Sequence, residues 1–184
     1  MLKSVFVFLK NPIYQEDENI DFNYRYKVLV QILLYAFLIS YALGFLNHRL
    51  DSAFDLDIGK HASEEYLRGS PGLLFLMAVI LAPILEELCF RGPLSFFKKS
   101  HFFPYVFYVF TLIFAFYHIL NFEFTTTTLW LSPLLVAPQF CVGLFLGYLR
   151  VRFGLLWSIA LHAAYNLIVI GPFILFKFLD LPIE

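Results

Sequence analysis

Five apolar runs, each close to the length needed to cross a lipid bilayer, leave this 184-residue chain few folds to choose from. A hydrocarbon core of roughly 30 Å needs about 20 apolar residues at ~1.5 Å rise each. The candidates are Val28 to Leu46, Gly72 to Phe97, Pro104 to Leu120, Leu129 to Leu149 and Leu155 to Ile170. Only helices or closed barrels satisfy their own backbone groups in lipid, and runs this long read as helices. The expected fold is therefore all-α: one polytopic membrane bundle, residues 1–184, of about five to six transmembrane helices. Composition agrees, with 60% apolar and 15% charged residues.

Local signals set the expected boundaries. Pro104 suits a first helical turn, Ser132-Pro133 offers another start, and Asn121 can end a helix. Gly171-Pro172 reads as a break, leaving Phe173 to Leu179 as a kinked extension or an interfacial piece. The loop from Asn47 to Ser70 is mixed in charge and reads as exposed, with a short helix near Ser63 to Arg68 and the makings of a lid. No cleavable signal peptide of the usual layout is visible in the first 26 residues.

Charge then sets orientation and excludes partners. With the N-terminus inside, Lys3, Lys10, Arg25, Lys27, Arg91, Lys98, Lys99, Arg150 and Arg152 fall at or near the inner side, while Arg49, Lys60 and Arg68 fall outside. Positive charge favours the cytoplasmic side, so a multi-pass cell-membrane protein with a cytoplasmic N-terminus is expected. A net charge of -1 without a basic stripe gives no footprint for nucleic acid. Cys89 and Cys141 both lie in apolar runs and read as buried free thiols, neither a disulfide framework nor a CxxC metal knuckle.

The anomaly is LAPILEELCFRG, where Glu86, Glu87 and Arg91 interrupt an apolar run. Charged side chains in mid-membrane cost about 2.5 to 3.5 kcal/mol each even on the lenient insertion scale, so they need internal partners or a wet cavity. Glu87 and Arg91 stand at i and i+4 with the acid first, the favourable order for a pair. Glu86 projects about 100° away and has no local cation. Structure is therefore assigned to Glu87 and Arg91, and chemistry to Glu86.

Two of the five histidines, His118 and His162, also interrupt apolar runs. His162 and Asn166 share one helix face, as do Phe114 and His118. Counted from the inner ends, Glu86 stands ~18 Å up, His118 ~20 Å, His162 ~14 Å and Asn166 ~20 Å, all within about one helical turn. Three helices thus deliver polar groups to one layer. A carboxylate in apolar surroundings suits the activation of water, while an Asn amide and a histidine N–H suit a developing oxyanion. No serine lies in a GxSxG context, so a serine mechanism is not indicated. Gly143 and Gly147 form GxxxG and read as close helix packing.

EELCFR, FAFYH and HAAYN resemble, in order and spacing, the EExxxR, FxxxH and HxxxN/D motifs of the CPBP family of intramembrane glutamic endopeptidases. That family includes CAAX prenyl proteases and bacteriocin-processing or immunity proteins. The resemblance covers residues 71–170, the expected catalytic core. It implies a helical membrane fold with the site inside the bundle, in which Glu86 and His118 activate water while His162 and Asn166 stabilise the oxyanion. Glu87, Arg91 and Phe114 would support them, and no cofactor is implied. The substrate expected is a membrane-anchored protein or peptide: a prenylated C-terminus, a peptide precursor or a C-terminal sorting helix. Two alternatives stay open, a zinc metalloprotease using the same histidines and glutamate without HExxH, and a non-enzymatic immunity or transport protein.

Overall fold

The computed structural model of the protein describes residues 1–56, 58 and 69–179. Among these there are helices and connections but no strand. A short amphipathic helix, α1 (Leu2–Lys10), precedes α2 (Phe22–Phe54), which starts where the Asp21 carboxylate accepts from Tyr24 N–H at 2.7 Å. It ends at Asp55, whose φ of 48° is the left-handed conformation that closes helices. The helix therefore runs further into the expected Asn47–Ser70 loop than its hydropathy suggests. The anticipated helix at Ser63 to Arg68 lies outside the described residues.

The second span, Pro71–Phe97, is composite: α3 (Pro71–Phe75), a π-helical turn (Leu76–Leu81), α4 (Ala82–Phe90) and a 3₁₀ turn (Gly92–Phe97). Proline explains the π turn. Pro83 has no N–H to give the preceding turn, and its ring crowds the carbonyl four residues back, so the ladder widens and Ala82 N–H bonds Met77 O instead. The third span is α5 (Phe103–Tyr117), with Pro104 in its first turn as expected, continued by a 3₁₀ turn (His118–Asn121).

In the fourth span, Thr126–Phe153, the helix starts differ from the sequence reading. Thr125 caps α6 (Thr126–Leu135) by accepting from Thr128 N–H, and Pro133 sits inside that helix rather than at a start. The break falls at Val136, and Pro138 opens α7 (Ala137–Phe153). Gly154, at φ +97°, turns the chain into α8 (Leu155–Phe178). Gly171-Pro172 does not end α8, which carries Pro172 inside it, as membrane-spanning helices tolerate.

Packing shows what the solvent is. In α2, Leu29, Ile32, Ala36 and Ser40 face inward, while Val30, Leu34, Leu38 and Tyr41 form an exposed stripe on the outside. A helix apolar on its outer face is at home in lipid rather than water. Among the described residues five helices are long and apolar enough to span, and the protein is a multi-pass membrane bundle. At its centre stands α7, buried along most of its length and packed against α2, α5 and α8. Its GxxxG face is the reason α5 comes so close: a Cβ built on Gly147 would lie 2.5 Å from Phe107 Cε2, and one on Gly143 3.0 Å from Phe114 Cδ1. The thiols depart from expectation, since Cys89 is exposed on the outer side of α4 and Cys141 is half-buried.

Candidate active site

Glu86 and Glu87 leave α4 in different directions, and their surroundings differ accordingly. Glu87 is fully buried and saturated with partners. Arg91 Nη1 lies 3.1 Å from its Oε1, His162 Nδ1 lies 3.0 Å from the same oxygen, and Ser158 Oγ donates to Oε2. Ser158 Oγ also lies 3.0 Å from Leu146 O, tying α8 to α7. Because a carboxylate can only accept, the proton of that imidazole sits on Nδ1, and Nε2 is the nitrogen turned away from Glu87.

Glu86 has no such saturation. Its Oε2 is buried and makes no hydrogen bond, yet it faces two imidazoles, with His118 Nε2 at 3.9 Å and His162 Nε2 at 3.8 Å. Both distances exceed a direct hydrogen bond and leave the carboxylate oxygen in electrostatic reach of both rings. The Glu86 and His118 side chains are each 17% exposed, so they form the open side of the array, and Glu87 at 0% forms its closed side.

Each imidazole is oriented from behind. His118 Nδ1–H donates to Phe114 O at 2.8 Å, one turn back on α5, leaving Nε2 towards Glu86. Phe114 is itself a buried wedge, its ring edge-on to both His118 and His162 with centroids 4.8 and 5.8 Å away. The Arg91 guanidinium lies 3.7 Å above the same ring and donates to Gly143 O at 3.4 Å. A side chain at 143 would meet Arg91 Nη2 at 3.1 Å, so this glycine makes room for the buried cation.

Asn166 has a task that its spacing does not reveal. Its Nδ2–H donates to Ala78 O at 2.8 Å, the carbonyl in the π turn that Pro83 cannot serve. One amide hydrogen is thereby committed to holding α8 against the second span, and the other remains. Glu86, His118 and His162 converge directly, with Phe114, Glu87 and Arg91 behind them, whereas Asn166, one turn beyond His162 on α8, is bonded to the π turn. Sequence reasoning missed Ser158, although Ser158, His162 and Asn166 recur every fourth residue on one face of α8. It also missed Pro83 as the cause of Asn166.

Among the described residues, no three His, Cys, Asp or Glu side chains are grouped as a ready metal site. Both histidines use Nδ1 internally, on Phe114 and Glu87. Each Nε2 is thereby left towards Glu86, as general-base chemistry and metal ligation by a histidine both require.

Residues 68–168 match the family model described as Type II CAAX prenyl endopeptidase Rce1-like. Neither the curated proteins nor the solved structures compared with the chain give a match.

Proposed function

Since this chain belongs to the family of Rce1-like type II CAAX prenyl endopeptidases, we propose that it is an intramembrane endopeptidase of the glutamic type, with Glu86 as its general base. The observation that carries this reading is the position of Glu86 Oε2, 3.8 and 3.9 Å from the Nε2 atoms of His162 and His118.

The chemistry follows from the donors and acceptors. Water placed between Glu86 and His118 gives a proton to the Glu86 carboxylate as its oxygen attacks the peptide carbonyl, while the His118 Nε2 lone pair accepts its second hydrogen. The carbonyl π pair becomes an oxyanion. His162 can donate to it only as the imidazolium, with Nε2–H towards the oxyanion and Nδ1–H on Glu87. The remaining Asn166 amide hydrogen is the second donor, and such donors are worth about 10² to 10³ each in rate. Glu86, now protonated, returns its proton to the amide nitrogen as the C–N bond breaks. Atoms balance as amide plus water giving acid plus amine.

The substrate class this site suits is a membrane-associated protein or peptide, because the reacting groups are enclosed by lipid-facing helices. Lys3, Lys10, Arg25, Lys27, Lys98 and Lys99 gather at one end of the bundle, which supports a cell-membrane protein with a cytoplasmic N-terminus.

Comparing protein termini in cells carrying wild type or Glu86→Gln identifies substrates, and proteoliposomes then measure cleavage. Glu86→Gln should lower the rate at least about 10²-fold, in line with the loss of a general base, while melting near wild type. Cleavage at the normal rate by folded Glu86→Gln would sink the assignment.

A further inference from the structure

Arg150 is a buried cation that the scheme above does not use. It stands in the last turn of α7, 8% exposed, where positive charge suits the helix C-terminus. Its hydrogen bonds go further than that. Nε–H donates to the backbone carbonyl of Arg91 at 3.0 Å, and Nη1–H donates to the phenolic oxygen of Tyr14 at 3.0 Å.

Arg91 O lies at the C-terminal end of α4, where it also accepts from Leu94 N–H at 3.3 Å, so Arg150 supplies the shorter of its two hydrogen bonds. The chain turns into its 3₁₀ segment at Gly92, the next residue. Arg91 is thus gripped twice by α7: Gly143 O holds its guanidinium, and Arg150 holds its backbone two turns further along. Between those grips the guanidinium meets Glu87, and Glu87 meets His162.

The other half of this brace comes from the connection between α1 and α2. The Asp17 carboxylate pairs with Arg152 Nη2 at 2.7 Å, and Asp17 N–H donates to Arg152 O at 2.8 Å. Burial pushes the Asp17 carboxyl up, but the Asn19 N–H and the Arg152 guanidinium outweigh it and hold the group below its ordinary range. Tyr14 lies edge-on to Phe103 with centroids 5.5 Å apart, which sets its hydroxyl against Arg150. Tyr14, Asp17 and Asn19 lie before the 68–168 stretch that carries the family match.

We propose that Arg150, fixed by Tyr14, is a positioning residue: it sets the end of α4 and, through Arg91 and Glu87, the orientation of the His162 imidazole. This rests on the reading of Glu86 and His162 as the reacting site. A lysine at 150 keeps the charge at the end of α7 but lacks the planar fork that reaches a carbonyl and a phenol together. A role confined to helix-end electrostatics survives that change, and a positioning role does not.

The test uses the full chain in detergent micelles, labelled with ¹⁵N-histidine, as wild type, Arg150→Lys and Tyr14→Phe. The His162 Nδ1–H resonance should be slow to exchange in wild type and should shift or broaden in both variants, more in Arg150→Lys. In the proteoliposome assay kcat should fall about ten- to hundredfold for Arg150→Lys, with KM within about twofold, since a misplaced group costs orientation rather than binding. An unchanged His162 resonance with unchanged kcat in folded Arg150→Lys overturns the inference. If Arg150→Lys does not fold, Tyr14→Phe, which removes a single hydroxyl, decides by the same resonance. Should Glu86→Gln cleave like wild type, the catalytic reading fails, and the resonance still reports whether the brace holds His162.

Discussion

Glu86 and Glu87 are adjacent in the chain and opposite in circumstance. About 100° of helical rotation turns one towards the open side of the bundle and the other into its interior. Glu87 is held by Arg91, His162 and Ser158, whereas Glu86 Oε2 makes no hydrogen bond. Beyond its pair with Arg91, Glu87 also holds the imidazole that faces Glu86. Glu87→Ala removes the counter-charge of a fully buried guanidinium and should lower stability by about 3–5 kcal/mol, the range for breaking a buried pair. Ser158→Ala removes only one donor and should cost about 1–2 kcal/mol. Thermal melting in detergent measures both, and equal effects from the two would contradict this ranking. The role of Ser158 could not be read from sequence, because one buried serine is common helix packing until a carboxylate is seen opposite it.

At the scale of elements, the second span shows how a defect in one helix recruits a side chain from another. Pro83 leaves a carbonyl of the preceding turn without its donor, the turn widens to π geometry, and Asn166 on α8 supplies the missing hydrogen bond to Ala78 O. The two residues should therefore be energetically coupled. Asn166→Leu should destabilise the protein by about 1–2 kcal/mol with Pro83 present and by measurably less in a Pro83→Ala background, where the backbone can serve itself. A double-mutant cycle by thermal melting gives the coupling, and strict additivity would show that the bond to Ala78 carries no weight. The HxxxN spacing puts Asn166 on the His162 face of α8. It could not say that half of its amide is committed elsewhere, because the partner is a backbone carbonyl freed by a proline on another span.

Across the whole molecule, the charge pattern needs one revision after packing is seen. Arg91 and Arg150 are buried and paired, so they report internal architecture and not the side of the membrane. Lys3, Lys10, Lys98 and Lys99 remain as terminal and loop charges at one end, with Arg25 and Lys27 at the start of α2. If each of the five candidate spans among the described residues crosses once, the two chain ends fall on opposite faces. Reporter fusions at each end should therefore show a cytoplasmic N-terminus and a C-terminus across the membrane. Both ends on the same face would mean a different number of crossings and would revise the bundle.

Hydropathy and spacing determined by themselves that the chain is a helical membrane protein of about five to six spans, and they brought out Glu86, Glu87, Arg91, His118, His162 and Asn166 because charge and amide groups in lipid must have a reason. Tertiary structure alone decided which carboxylate is saturated and which faces the imidazoles, where the proline-broken turn finds its donor, and how α7 grips Arg91. Helical periodicity fixes the angle at which a side chain leaves its own axis. Which partner it meets depends on how neighbouring axes are rotated and spaced, and that is set by packing among residues distant in the chain, such as Gly147 against Phe107.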